Sequence, residues 1–142
     1  MVDAILEAQP WDPYGAATAV EELETWMARP DWAAILQAFA RCQRIQTKDA
    51  GEAEPDSKAF TEDSERELHR ALLSAEKAGP FDGSPAKFLK AFQPMVPAIT
   101  RFFEDVLVMD EQPAVRQNRL RLLRGVVRLA AGVADLSKLE GF

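Results

Sequence analysis

Apolar residues in this chain recur every three to four positions rather than every second one, and Pro, Gly, Asp and Ser punctuate the runs. That is the signature of amphipathic helices packed side by side. A short helix is expected over residues 1–8. Asp12-Pro13 predicts the start of the next, Asp as N-cap and Pro in the first turn. Its packed face is Ala16, Val20, Leu23, Trp26 and Met27, with Glu21, Glu22 and Glu24 turned away. Arg29-Pro30-Asp31 breaks the chain and restarts it into a helix whose stripe is Trp32, Ile35, Leu36, Phe39, Cys42 and Ile45. Arg41, Arg44 and Lys48 share a separate face of that helix. Residues 49–60 carry no apolar period and are expected to be a mobile surface loop. Thr61 is expected to cap a helix with Leu68, Leu72 and Ala75 inward, ended by Gly79-Pro80. Ser84-Pro85 opens a short helix carrying Phe88, Leu89 and Phe92, and Pro94 and Pro97 interrupt the chain after it.

The chain is organised around its last long stretch, which predicts a helical hairpin. In the first arm Ile99, Phe102, Phe103, Val106 and Leu107 face inward, while Arg101, Glu104 and Asp105 share a flank. After the turn Asp110-Glu111-Gln112-Pro113, the second arm places Val115, Leu120, Leu122, Leu123, Val126, Val127, Leu129, Ala130, Val133 and Ala134 on one broad arc. Gln117, Arg121, Arg124 and Arg128 fall opposite it, an expected exposed strip. Arg116 and Arg119 fall inside or beside the apolar arc, where an unpaired charge is costly, so each needs a partner. Arg119 is expected to bridge to Glu104 or Asp105, the functional alternative being contact with a base or phosphate. The fold class is all-α, an antiparallel up-and-down bundle of five to six helices in one domain over residues 1–142.

Charge sharpens this picture. The net charge is −6, which argues against a general nucleic-acid binder. Its distribution is polarised: residues 1–31 hold Asp3, Glu7, Asp12, Glu21, Glu22, Glu24 and Asp31 against Arg29 alone, whereas residues 113–128 hold five arginines and no acid. One basic face for RNA fits this, and so does a docking face for an acidic protein surface. The other candidates for chemistry are weak. His69 follows Glu65 by four residues, a poor ligand set, so no metal site is expected. Cys42 lies on an apolar stripe and reads as a core thiol, and a single cysteine fits a reducing cytoplasm. Trp11, between prolines, is the one tryptophan expected to be exposed. Glu104 and Asp105 beside Arg101 read as ion-pair partners rather than an acid–base couple. With no Gly-rich phosphate loop and no Ser/His/Asp set, no active site is visible. There is no membrane-length apolar run and no signal-peptide pattern at the N-terminus.

The run Phe102-Phe103-Glu104, Val106-Leu107-Val108-Met109, Asp110-Glu111, Arg116-Gln117-Asn118-Arg119-Leu120 and Ala134-Asp135-Leu136-Ser137 resembles, in order and spacing, the C-terminal end of the β subunit of bacterial-type glycyl-tRNA synthetase. That end is a DALR-type anticodon-binding domain, related to the one in arginyl-tRNA synthetase. Arg41-Cys42-Gln43-Arg44-Ile45 resembles the family's earlier basic helix end more loosely. Glu104 stands where the family has Asp, and Gln112-Pro113 replaces part of its acidic turn.

The resemblance implies a non-catalytic domain from the C-terminus of a larger cytoplasmic subunit, binding the anticodon stem and loop of glycine tRNA. It implies further partners in the rest of the β subunit and in the α subunit, which activates glycine. No cofactor is implied for the domain, and ATP and Mg for the parent's catalytic part; neither membrane nor DNA is an expected partner. Glycine anticodons end in two cytosines, whose edges call for a carboxylate or carbonyl at N4 and an Arg, Lys or Asn at O2 and N3. The expected backbone contacts are Arg41, Arg44, Lys48, Arg121, Arg124 and Arg128, with Arg116 and Asn118 as candidates for the bases. The competing reading is a helical protein-interaction module that docks through its polarised basic face.

Overall fold

The computed structural model describes residues 2–8 and 13–142. The expected N-cap Asp12 and the expected exposed Trp11 lie outside the described residues. The elements are α1 (Val2–Ala8), α2 (Pro13–Met27), α3 (Trp32–Arg44), α4 (Asp63–Ala78), α5 (Pro85–Phe92), α6 (Val96–Asp105) and α7 (Pro113–Arg128). Short 3-10 turns lie at Lys48–Ala50, Ser57–Ala59, Gln93–Met95 and Leu136–Lys138. The fold is an all-α bundle, with no strand among the described residues. None of these helices is long and apolar enough to cross a membrane.

Local sequence sets most of the boundaries. Ser84 accepts a hydrogen bond from the Lys87 amide (3.1 Å) with Pro85 beside it in the first turn, which starts α5. Between α2 and α3, Arg29 and Asp31 clamp the break, Nε to Oδ1 at 2.9 Å. α4 begins one residue later than expected. Its N-cap is Glu62 rather than Thr61, because the Glu65 carboxylate turns back to accept from the Glu62 amide (3.2 Å) and the Thr61 hydroxyl (3.2 Å).

Helices distant in sequence pack together: α2 on α5, α3 on α6 and α7, and α4 on α6 and α7. At the centre Phe39 meets Phe88 and Phe92 edge-on, at centroid distances of 6.0 and 5.7 Å, and Phe88 stacks on Phe92 at 5.8 Å. The inward stripe of α7, Leu120, Leu122, Leu123 and Val126, is fully buried. Each such side chain contributes about 1.5–3 kcal/mol. The residues after α7 return to α1, where the Asp135 amide donates to the Ala4 carbonyl at 2.8 Å.

The first arm of the hairpin is shorter than its composition suggests. α6 stops at Asp105 and Val106 is extended (φ −124°, ψ 146°), so the Val-Leu-Val-Met run is a connector and not helix. Val106 and Val108 are buried while Leu107 and Met109 are 69% and 43% exposed, as the chain leaves α6 extended at Val106 and turns at residues 108–109. Leu107, expected to face inward, points to solvent. Two β-branched residues so close together weaken any continuation of the helix.

The packing of α4 on α7 can be tested at one glycine. A Cβ added at Gly125 of α7 would lie 2.6 Å from Cδ2 of the buried Leu72. Gly125→Ala gains up to about 1 kcal/mol of helix propensity but forces overpacking that costs about 1–3 kcal/mol. Urea denaturation should therefore find the variant less stable, and an unchanged or raised midpoint would refute the close approach of the two helices. Burial pushes the Cys42 thiol up to about 12. A disulfide reagent at mildly alkaline pH should leave it unreacted until denaturant is added.

Candidate nucleic-acid interface

The outward side of α7 carries Asn118, Arg121, Arg124 and Arg128, and the chain between α3 and α4 lies across it. Arg121 Nε donates to the Ala50 carbonyl (2.6 Å) and Arg124 Nη2 to the Ala53 carbonyl (2.6 Å). Arg128 reaches Glu54 at 3.4 Å and Glu52 at 3.9 Å. Asn118 binds both backbone groups of Asp56, accepting from its amide (2.6 Å) and donating to its carbonyl (3.0 Å). The loop expected over residues 49–60 is thus a strap that runs up α7 from Arg121 to Arg128 and returns to Asn118. Its ends are pinned by buried Ala50 and Phe60.

The strip expected to be open is therefore largely covered. Arg121 and Arg124 are half-buried beneath the strap, and Arg128 alone of the three is exposed. Asn118, a candidate for reading a base, is buried with its amide committed to Asp56. The strap itself supplies Glu52, Glu54 and Asp56, so acids face solvent above the arginines.

Arg119 is buried, as its place on the arc demands, and it has a carboxylate partner. That partner is Glu65 of α4, Nη2 to Oε1 at 3.2 Å, rather than Glu104 or Asp105. Its Nη1 donates to the Leu107 carbonyl at 2.6 Å and lies 3.9 Å from Asp110 Oδ2. Glu104 is exposed with no ion pair among the described residues, and Asp105 pairs with Arg101 at 3.3 Å. The cause is simple. α6 ends before it can run alongside α7, so the extended connector offers a carbonyl instead of a carboxylate, and the charge is met from α4. Arg116, half-buried, donates to the Asp110 carbonyl at 3.1 Å and steadies the same turn.

An open cationic edge lies beside the strap at the end of α3. Arg41 is exposed, with its guanidinium over the Phe103 ring at 4.2 Å. Stacking fixes the plane of the group and leaves its N–H edges free for an acceptor. Arg44 is exposed and holds the Gln37 side chain (3.1 Å), and Lys48 is exposed with no ion pair among the described residues. Gln46 ties this end of α3 to α7 through the Leu120 carbonyl at 3.4 Å. His69 packs edge-on against Phe60 at 5.3 Å, and no group of three or more potential metal ligands occurs among the described residues. Sequence reasoning missed the strap. Alternating Glu-x-Glu-x-Asp against an arginine row at helical spacing was the available signal.

The fold is an all-α bundle with one basic strip at the end of α3 and another along α7. The chain belongs to the DALR anticodon binding domain family, which matches residues 35–136. It is 35% identical over 145 residues to the glycine–tRNA ligase beta subunit of Anaeromyxobacter dehalogenans strain 2CP-C, an alignment covering 99% of this chain and 21% of that relative. Similar proteins of the same name occur in Citrifermentans bemidjiense (35% identical, 98% of this chain, 20% of the relative) and Aquifex aeolicus (30%, 98% and 20%). The chain thus spans about a fifth of the length of these relatives.

Removing a buried partner leaves the other charge stranded at a cost of about 3–5 kcal/mol, whereas an exposed carboxylate contributes little. Arg119→Met should lower unfolding free energy by about that amount, and Glu104→Ala and Asp105→Ala by under about 0.5 kcal/mol. Equal effects in the three variants would contradict the pairing with Glu65.

Proposed function

We propose that this chain is the C-terminal domain of a glycine–tRNA ligase β subunit and binds the anticodon stem-loop of glycine tRNA. The observation that carries this reading is the family match, which runs over residues 35–136 and contains both basic strips. In this reading Arg41, Arg44 and Lys48 meet the RNA backbone first, and Arg128 with the arginines under the strap extends the contact along α7. Phosphate contacts of this kind fix register, while the unstacked cytosines of the loop present N4 donors and O2 and N3 acceptors to side chains around them. Arg116, beside the connector, meets a base edge only if the loop reaches the α6–α7 turn. The domain supplies binding, and glycine activation with ATP and Mg belongs to the α subunit of the same cytoplasmic enzyme.

The covering of Arg121 and Arg124 favours a second reading, a protein-interaction module whose partner docks on the strap. Fluorescence anisotropy with a labelled glycine anticodon stem-loop separates the two. The chain should bind the loop, bind it more weakly when the two cytosines are changed, and lose about tenfold in affinity in the double variant Arg41→Ala/Lys48→Ala, with a salt slope shallower by about two. No binding even at low salt would remove the RNA reading in favour of the second. Equal binding of both loops would reduce it to unspecific charge attraction.

A further inference from the structure

The strap has two unequal parts. Its ends are fastened by buried Ala50, by the paired backbone contacts of Asp56 with Asn118, and by buried Phe60. Its tip, Gly51 to Glu54, is exposed throughout and buries no apolar side chain. Among the described residues the tip is held by polar contacts: the Gly51 amide to the Lys48 carbonyl at its base, the Arg124 bond to the Ala53 carbonyl and the Arg128 contacts with Glu52 and Glu54. Gly51 is in the left-handed region (φ +64°), a conformation glycine enters and leaves without steric cost, so it can serve as the hinge.

Arg124 itself is incompletely satisfied. Its Nη2 has the Ala53 carbonyl, but its Nε is buried and has no hydrogen-bond partner among the described residues. Nε and Nη2 form one edge of the guanidinium, the edge that grips a phosphate or carboxylate with two parallel bonds. A neutral carbonyl fills half of that edge.

We propose that Arg124 and Arg128 form a site for an RNA backbone phosphate, and that the tip of the strap occupies this site in the free chain and lifts off when the stem-loop binds. The inference rests on the RNA reading given above. A phosphate carries full charge and spans both Nε and Nη2, so it is a stronger acceptor for Arg124 than a single carbonyl. Arg128 gives up only carboxylates that are 81–100% exposed, pairs that water and salt already weaken. While the tip is down, Glu52 and Glu54 repel any polyanion that approaches α7. An RNA first held by Arg41 and Lys48 stays long enough for the exchange, and a random polyanion does not.

Two measurements on the full chain test this. Neutralising the tip in Glu52→Ala/Glu54→Ala removes the carboxylates that compete for Arg128, and the repulsion, while the Ala53 carbonyl stays on Arg124, and should tighten stem-loop binding about three-fold at low salt. Adding Arg124→Ala to that variant should cancel the gain. Independently, a nitroxide on Ala53→Cys reports the tip directly, because the native Cys42 is buried and does not compete for the label. Its electron paramagnetic resonance spectrum should sharpen as the stem-loop is added, because the tip is released. Unchanged affinity in the neutralised variant, or a label that stays equally or more constrained at saturation, would overturn the proposal. If Arg41→Ala still weakened binding in that case, the RNA reading would stand and only the phosphate site would fall. Failure of both wild type and variants to bind would remove the two together.

Discussion

The pairing of buried Arg119 with buried Glu65 is the constraint around which the functional half of the molecule is arranged. A guanidinium and a carboxylate withdrawn from water are tolerable only when nearly every lone pair and proton has a partner. Here one Glu65 oxygen serves the start of α4 and Arg119 at once, and Arg119 also takes the Leu107 carbonyl, while its buried Nε has no hydrogen-bond partner among the described residues. Three separate pieces of chain, the first turn of α4, the extended connector and the first half of α7, are thereby fixed at one point. The rotation of α7 about its own axis follows from that point, and with it the direction in which Asn118, Arg121, Arg124 and Arg128 project.

Arginine does three different jobs within the sixteen residues of α7, and burial decides which. Arg119, inside, is structural. Arg121 and Arg124, half-covered, hold the strap through its backbone carbonyls. Arg128, exposed, makes long contacts with carboxylates that contribute little to stability. The strap converts an otherwise open cationic ridge into a surface with acids on its outside, in keeping with the net charge of −6. Arg41 and Arg44 at the end of α3 are exposed outside the strap, and Phe103 holds Arg41 in plane.

Helix periodicity made the bundle and its core legible from sequence, since a three-to-four spacing has one buried face whatever the tertiary partners are. The stripes of α3, α4, α5 and α7 are buried as that spacing requires, apart from Ile45, Val115 and Val127, which are half-buried. The family was legible in the run from Phe102 to Ser137, which lies almost wholly within the matched residues 35–136. Three things were not. The connector at Val106–Met109 has both a helical and a period-two reading over so few residues, and only the end of α6 decides between them. Arg119's partner lies 54 positions away in sequence, beyond any local rule, so the nearest acids were the natural candidates and the wrong ones. The strap has no apolar period at all. It is held mainly by side chains of α7 bonding to its backbone, and its own side chains add only the long contacts of Glu52 and Glu54 with Arg128.

The basic face proposed to receive an RNA loop joins the end of α3 to the outer side of α7. Its most direct test follows the arginine Nε–H resonances of the labelled chain by nuclear magnetic resonance during titration with the glycine anticodon stem-loop. The signals of Arg41 and Arg124 should move while that of Arg29, at the α2–α3 break, stays still. Shifts at Arg29 without change at Arg41 and Arg124, or no shift anywhere at saturating RNA, would contradict a binding face at that place.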